Sequence, residues 1–192
     1  MTRISSAEAE HEAMRTVANL MVTAARTAPK GRGVDAIRTM VVEGEDIATI
    51  ADAMVEVAPG RADIVTNAIR RDAGNVRTSD FVVLIGISGA PKKPENPFDC
   101  GACGFHTCAN MIHAREKAKA DSDYFGPNCV IAALDLGVAL GSAAKVASDH
   151  NIDNRLMYTM GIAVARLKWL DADVVIGIPL SAVGKNIYFD RG

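Results

Sequence analysis

The stretch FVVLIGI, residues 81 to 87, is apolar at every position. A half-solvated strand would alternate apolar with polar residues, so an unbroken run of this length predicts a strand covered on both faces. It demands helices above and below the sheet and a central place within it. VVIGIPL at 174–180 reads as a second buried strand, and IRTMVV at 37–42 gathers β-branched and apolar residues over strand length.

The helices to cover such a sheet are legible. Ser5 with Glu8 has the form of a capping box, and Met14, Val17, Met21, Ala24 and Ala28 recur at three- and four-residue steps, which predicts one amphipathic helix over 5–28. Pro29, Gly31 and Gly33 end it. A second helix follows, capped near Asp46, carrying Ile47, Ile50, Met54 and Val57 on one face and ended by Pro59 and Gly60. Residues 61–79 fit a helix through Ile64, Val65, Ala68 and Ile69, although Gly74 and Asn75 mark a turn. Pro127 suits the first turn of a long helix through VIAALDLGVALGSAAKVAS, and Asp153 or Asn154 can cap another at RLMYTMGIAVARLKWL, with Tyr158 and Trp169 as core residues. The expected architecture is α+β, a small mixed sheet covered by long helices.

Between the second strand and that long helix the composition shifts. SGAPKKPENPFDCGACG is rich in turn formers and HAREKAKADSD is charged, so residues 88–126 read as an insert into a core made of 1–87 and 127–192. Hydrophobic residues are 49% of the chain and charged ones 23%, enough apolar content for a core without disulfide staples. Net charge is −2 with no basic run, which makes nucleic acid an unexpected partner. The N-terminal stretch lacks the apolar core of a signal peptide, and no window reaches about eighteen consecutive apolar residues. The expectation is a cytoplasmic protein without a membrane partner, where a reducing milieu moves cysteines away from disulfides and toward metal ligation or redox chemistry.

The chain has four cysteines, Cys100, Cys103, Cys108 and Cys129. The Cys100-x-x-Cys103 pair lets two thiolates reach one centre from a tight turn, where Gly101 and Gly104 relieve crowding. Cys108 follows on the same loop. Cys129 comes from a separate element, at a helix start whose dipole favours a thiolate. Ribbon-type zinc sites show two short hooks, whereas three clustered cysteines plus a distant one is a common way to hold a cubane 4Fe-4S cluster. The spacing favours iron–sulfur and leaves zinc and a dithiol pair as alternatives. His106 reads as a solvent-facing loop histidine, and Lys30 and Arg32 as solvated loop charges. No nucleophile elbow, paired-histidine zinc motif or dinucleotide fingerprint is present, so hydrolase chemistry is unsupported.

CGACGFHTC followed by a distant cysteine resembles the four-cysteine iron–sulfur domain of membrane electron-transport complexes and of the corrinoid iron–sulfur protein. AARTAPK, VVLIGI, CGACGF, FGPNC, DLGVALGSA, DNRLMYTMGIA and DADVVIGIPLSAVGK resemble, nearly end to end, a family of uncharacterised proteins containing a ferredoxin domain. AARTAP, ALGSA and the Gly177 to Pro179 strand end are also similar to nitroreductase-type flavoproteins split by the cluster insert. That second resemblance implies FMN at the interface of a homodimer, with Lys30 and Gly31 in the turn facing the flavin, Gly141 and Ser142 near its ring or ribityl chain, and Lys185 near its phosphate. Together the resemblances imply an iron–sulfur redox protein exchanging electrons with a partner protein, either a carrier or an oxidoreductase using FMN. The alternatives are a scaffold closed by a structural cluster or zinc, and an oxygen or iron sensor.

Overall fold

The computed structural model describes residues 3–119 and 121–189; the last three residues of the expected polar tail lie outside them. In chain order its elements are α1 (Ser6–Thr27), β1 (Ile37–Glu43), α2 (Glu45–Val57), α3 (Asp63–Arg77), β2 (Phe81–Ile87), α4 (Cys108–Glu116), α5 (Val130–Asp149), β3 (Asp153–Asn154), α6 (Tyr158–Leu167) and β4 (Val174–Ser181), with a short 3-10 turn at Gly31–Gly33.

The sheet runs β1-β2-β4-β3, so FVVLIGI is an interior strand with both edges paired. All its side chains are buried because they point alternately into two cores. Val82 and Leu84 meet α2, α3 and α6 through Ile50, Met54, Ile69 and Met160. Phe81, Val83, Ile85 and Ile87 meet α1 and α5 through Met14, Met21, Ala139 and Ala143. The expected α+β class and the double cover of the sheet hold. The expected mixed sheet does not, for every pairing among the described strands is antiparallel.

Ser5 caps α1, its Oγ accepting from Glu8 N at 3.2 Å. Its buried stripe is Met14, Val17, Ala18, Met21 and Ala25, so Ala25 rather than Ala24 faces the core. Residues 63–77 are helical, but Ile64 and Val65 are exposed, and the buried face is Ile69, Asp72, Ala73 and Val76. By length and composition α5 could cross a membrane. Here Ala132, Leu136, Ala139, Ala143 and Ala147 bury one side of it against α1 and the sheet.

Three local expectations are corrected. Pro127 lies outside α5, because Cys129 is the N-cap and its N–H donates to Gly89 O at 2.8 Å instead of extending the helix. Asp153 and Asn154 do not cap α6. They pair with the end of β4, and the Asp153 carboxylate accepts from Asn186 Nδ2 at 2.7 Å, while α6 starts from Met157, which bridges to Gly177. Tyr158 is not core. It is half exposed, its hydroxyl donating to Asp123 Oδ2 at 3.1 Å, whereas Trp169 packs partly buried on the α2–α3–α6 side.

Candidate metal centre

The cysteine segment leaves β2 and returns to α5, and both ends are fixed. Gly89 N donates to Asp173 Oδ2 at 2.6 Å and Gly89 O accepts from Cys129 N. Arg115, in the last turn of α4, reaches both ends: its Nη2 lies 2.7 Å from Asp173 Oδ2, its Nη1 donates to Pro127 O at 2.7 Å, and its guanidinium lies over the Phe125 ring. The helix that begins at Cys108 is thereby tied to the chain just ahead of Cys129. Backbone distance along the sequence says nothing of this.

Within the insert each cysteine has a distinct local device. Cys103 sits in a turn closed by Gly104 N donating to Gly101 O at 2.9 Å, and both glycines hold positive φ, 70° and 86°, a region costly for residues with a Cβ. Cys108 is the first residue of α4. Thr107 caps that helix, its Oγ1 accepting from Asn110 N at 3.2 Å, and Asp99 Oδ1 accepts from Cys108 N at 2.6 Å. Cys129 caps α5. Two helix N-termini, from nine and twenty residues of helix, therefore present their positive ends at Cys108 and Cys129.

Cys100, Cys108 and Cys129 line one cavity together with Arg32, Lys92 and Phe98. Cys103 is half-buried in the adjoining turn and is not among the lining residues. Among the described residues no group of three or more His, Cys, Asp or Glu side chains stands close enough to share a single metal ion. All four cysteines are free. The donor chemistry nonetheless fits a thiolate-ligated cluster: three soft ligands line one space, the fourth is on the turn beside it, and two of the four stand at helix N-termini. His106 is exposed in the loop, as expected.

Sequence reasoning did not find the charged residues beside this cavity. Lys92 and Asp135 form a buried ion pair, their side chains 4% and 7% exposed. Lys92 Nζ also donates to Val34 O at 2.7 Å and Gly31 O at 3.3 Å, while Asp135 Oδ1 accepts from Gly31 N at 2.8 Å. The pair thus joins insert, α5 and the 31–33 turn. Arg32 is not a solvated loop charge. It adopts φ 60°, places its guanidinium 4.4 Å from the Phe98 ring centre and donates to Asn96 O. Lys30 is not solvated either. Its ammonium, with a side chain 7% exposed, donates to the carbonyls of Ala25, Arg26 and Ala28 and closes the C-terminus of α1.

Of the five positions the flavoprotein resemblance implies, Lys30 and Gly31 are therefore committed to internal bonds. A Cβ on Gly31 would also overlap Ile131. Gly141 is exposed and Ser142 half-buried on α5, and Lys185 is exposed beyond β4. A second concavity, of about 550 Å³, lies at the end of the insert and is lined by Asp121, Asp123, Tyr124, Arg166, Lys168 and Asp173 among others. There a hydrogen bond from Arg61 holds the Asp123 carboxyl below its ordinary range. Burial, with Tyr158 and Asp123 nearby, pushes the Tyr124 phenol far above its own. Tyr124 donates to Val175 O at 2.6 Å, so it is a structural donor rather than a free acid.

The sequence profile of a family described as "uncharacterized protein containing a ferredoxin domain" matches residues 125–191, a span that holds Cys129 and not the other three cysteines. An uncharacterized protein of Archaeoglobus fulgidus is 44% identical over 183 residues, which cover 95% of this chain and 94% of that one. Among solved structures, a nitroreductase with bound FMN from Desulfitobacterium hafniense DCB-2 superposes with a TM-score of 0.54 at 16% identity, covering 96% of this chain and 81% of its own. A nitroreductase family protein from Clostridium novyi NT gives 0.50 at 14% identity over 95% and 77%. The NADPH:FMN oxidoreductase of Vibrio harveyi complexed with NAD+ gives 0.51 at 10% identity over 96% and 63%. At these identities the likeness is one of fold, and the fold is nitroreductase-like.

Proposed function

This chain belongs to the family of uncharacterised proteins containing a ferredoxin domain, and from that premise we propose that it is an iron–sulfur redox protein whose Cys100, Cys103, Cys108 and Cys129 hold a 4Fe-4S cluster. The observation that carries the reading is the shared cavity: Cys129, twenty-one positions beyond Cys108, lines the same space as Cys100 and Cys108. The spacing supports a cluster over zinc, since three clustered cysteines followed by a distant one is a common pattern for a cubane centre, whereas ribbon-type zinc sites show two short hooks. When bound, the cluster supplies one-electron transfer. The chain's own residues hold the thiolates, bring two helix N-termini to them and place Arg32 and Lys92 at the cavity wall.

Residues 88–126 are then the cluster-bearing insert of a core made of 1–87 and 127–192. FMN as a second cofactor rests on the fold alone, since Lys30 and Gly31 are bonded internally; the other positions the resemblance gives for it are Gly141, Ser142 and Lys185. Leu134 and Val138 are exposed on the same side of α5 as Gly141, an apolar strip that supports a homodimer covering it. The electron donor or acceptor would be a separate protein.

Anaerobically purified protein should contain iron and acid-labile sulfide near four each per chain, the content of a 4Fe-4S cluster. It should also show broad visible absorbance that dithionite bleaches. Cys103→Ala should lose it. A colourless, zinc-loaded preparation that dithionite leaves unchanged refutes the reading. Flavin fluorescence in the heat-released supernatant decides separately whether FMN is present.

A further inference from the structure

The two cations on the wall of the cysteine cavity are not equivalent. Lys92 is neutralised in place, because Asp135 is its buried partner. Arg32 has no carboxylate within ion-pair distance among the described residues. Among the described residues its guanidinium meets the Asn96 carbonyl and the face of Phe98. Asp99 is the nearest acid in sequence to Cys100, and its Oδ1 is taken up by the Cys108 N–H outside the cavity lining. Of the two cations that line the cavity with Cys100, Cys108 and Cys129, the one without a carboxylate partner among the described residues is thus Arg32.

Arg32 is also held there at a conformational cost. A φ of 60° with ψ 12° is a left-handed conformation in which non-glycine residues are uncommon, and the side chain it carries spans from the 31–33 turn to the insert. A long, always-charged, weakly hydrated group stacked on an aromatic ring is suited to a half-buried cavity wall. We infer that Arg32 is the charge-setting residue of the cysteine centre, raising the reduction potential of the thiolate-ligated cluster and so favouring its reduced form. The inference rests on the proposed cluster. Reduction adds one negative charge to a centre that is already anionic, so a facing positive charge stabilises the reduced form more than the oxidised one. Lys92, cancelled by Asp135, contributes little to that difference.

The test is a charge series, R32K, R32Q and R32E, read by optical redox titration and by iron and sulfide content of the purified, loaded proteins. Each unit of charge removed should lower the equilibrium constant for reduction about tenfold after allowance for partial solvent screening, which is about 59 mV for a one-electron couple. R32K should match the wild type, R32Q should fall by one step and R32E by two. Equal potentials across the series at equal iron content overturn the inference. So does an R32K protein as low as R32Q, because shape rather than charge would then be the determinant. Iron loss from R32Q and R32E while R32K keeps its iron overturns the inference, because the charge would then hold the cluster rather than set its potential; iron loss from R32K as well overturns it. A wild-type protein without reducible iron removes the cluster reading itself, and this inference with it.

Discussion

Lys92→Met is the substitution that most directly tests how the structure supports its cysteine cavity. The lysine side chain is 4% exposed and makes three contacts at once, to Asp135 and to the carbonyls of Val34 and Gly31. Methionine approximates its volume but leaves a buried carboxylate with, among the described residues, Gly31 N alone as a partner. Removing one member of a buried pair costs about 3–5 kcal/mol, because the other charge remains desolvated and unpaired. For a chain of this size, at about 2–4 °C per kcal/mol, Tm should fall by about 6–20 °C. Urea unfolding followed by far-UV circular dichroism, on reduced and chelator-treated protein, isolates this effect from metal binding. Asp135→Asn should also destabilise, and the double variant should be less damaged than the sum of the singles by about 2 kcal/mol, within the range of direct coupling. A loss under about 1 kcal/mol for Lys92→Met, or singles that add to the double within about 0.5 kcal/mol, would refute the claim that this pair acts as one buried unit.

Two further outcomes follow from the ties around the insert. Arg115→Met should cost about 2–3 kcal/mol, since a charge-assisted bond to Asp173 and another to Pro127 O are lost together. Iron should also leave the loaded variant faster in the presence of a chelator; retention equal to the wild type would show that Arg115 does not hold α4 to the Cys129 end. Asp123→Asn should remove about 1 kcal/mol at neutral pH, because the Arg61 hydrogen bond holds the folded carboxyl below its ordinary pKa. A depressed carboxylate stabilises fully above the unfolded value, about pH 4, and loses that contribution as pH falls through the folded one. The stability gap between wild type and variant in urea titrations should therefore close in acid; a gap that is constant down to about pH 2 contradicts the assignment.

The elements that sequence reasoning recovered are those whose pattern is dense and local. FVVLIGI has no polar position to solvate, so its place inside the sheet followed from burial alone, and the start of α1 followed from Ser5 and Glu8. Pattern failed where burial is sparse. In α4 only Met111 is buried, so no apolar periodicity marks the helix that Cys108 begins. β3 is two residues long, too short to alternate, and what makes it a strand is the presence of Ser181 and Leu180 beside it.

The candidate site divides in the same way. The identity and spacing of the four cysteines stand in the chain itself, because thiolate chemistry belongs to the residue type and a Cys-x-x-Cys hook is local geometry. That Cys129 faces the cavity of Cys100 and Cys108, that Lys92 meets Asp135 across 43 positions, and that Arg32 crosses to Phe98 were decided only when the chain closed on itself. A lone charge has no periodicity to betray its partner. Which cation finds a carboxylate, and which is left without one at the wall of the cysteine cavity, depends on where distant segments are brought together, and burial then fixes what that proximity is worth.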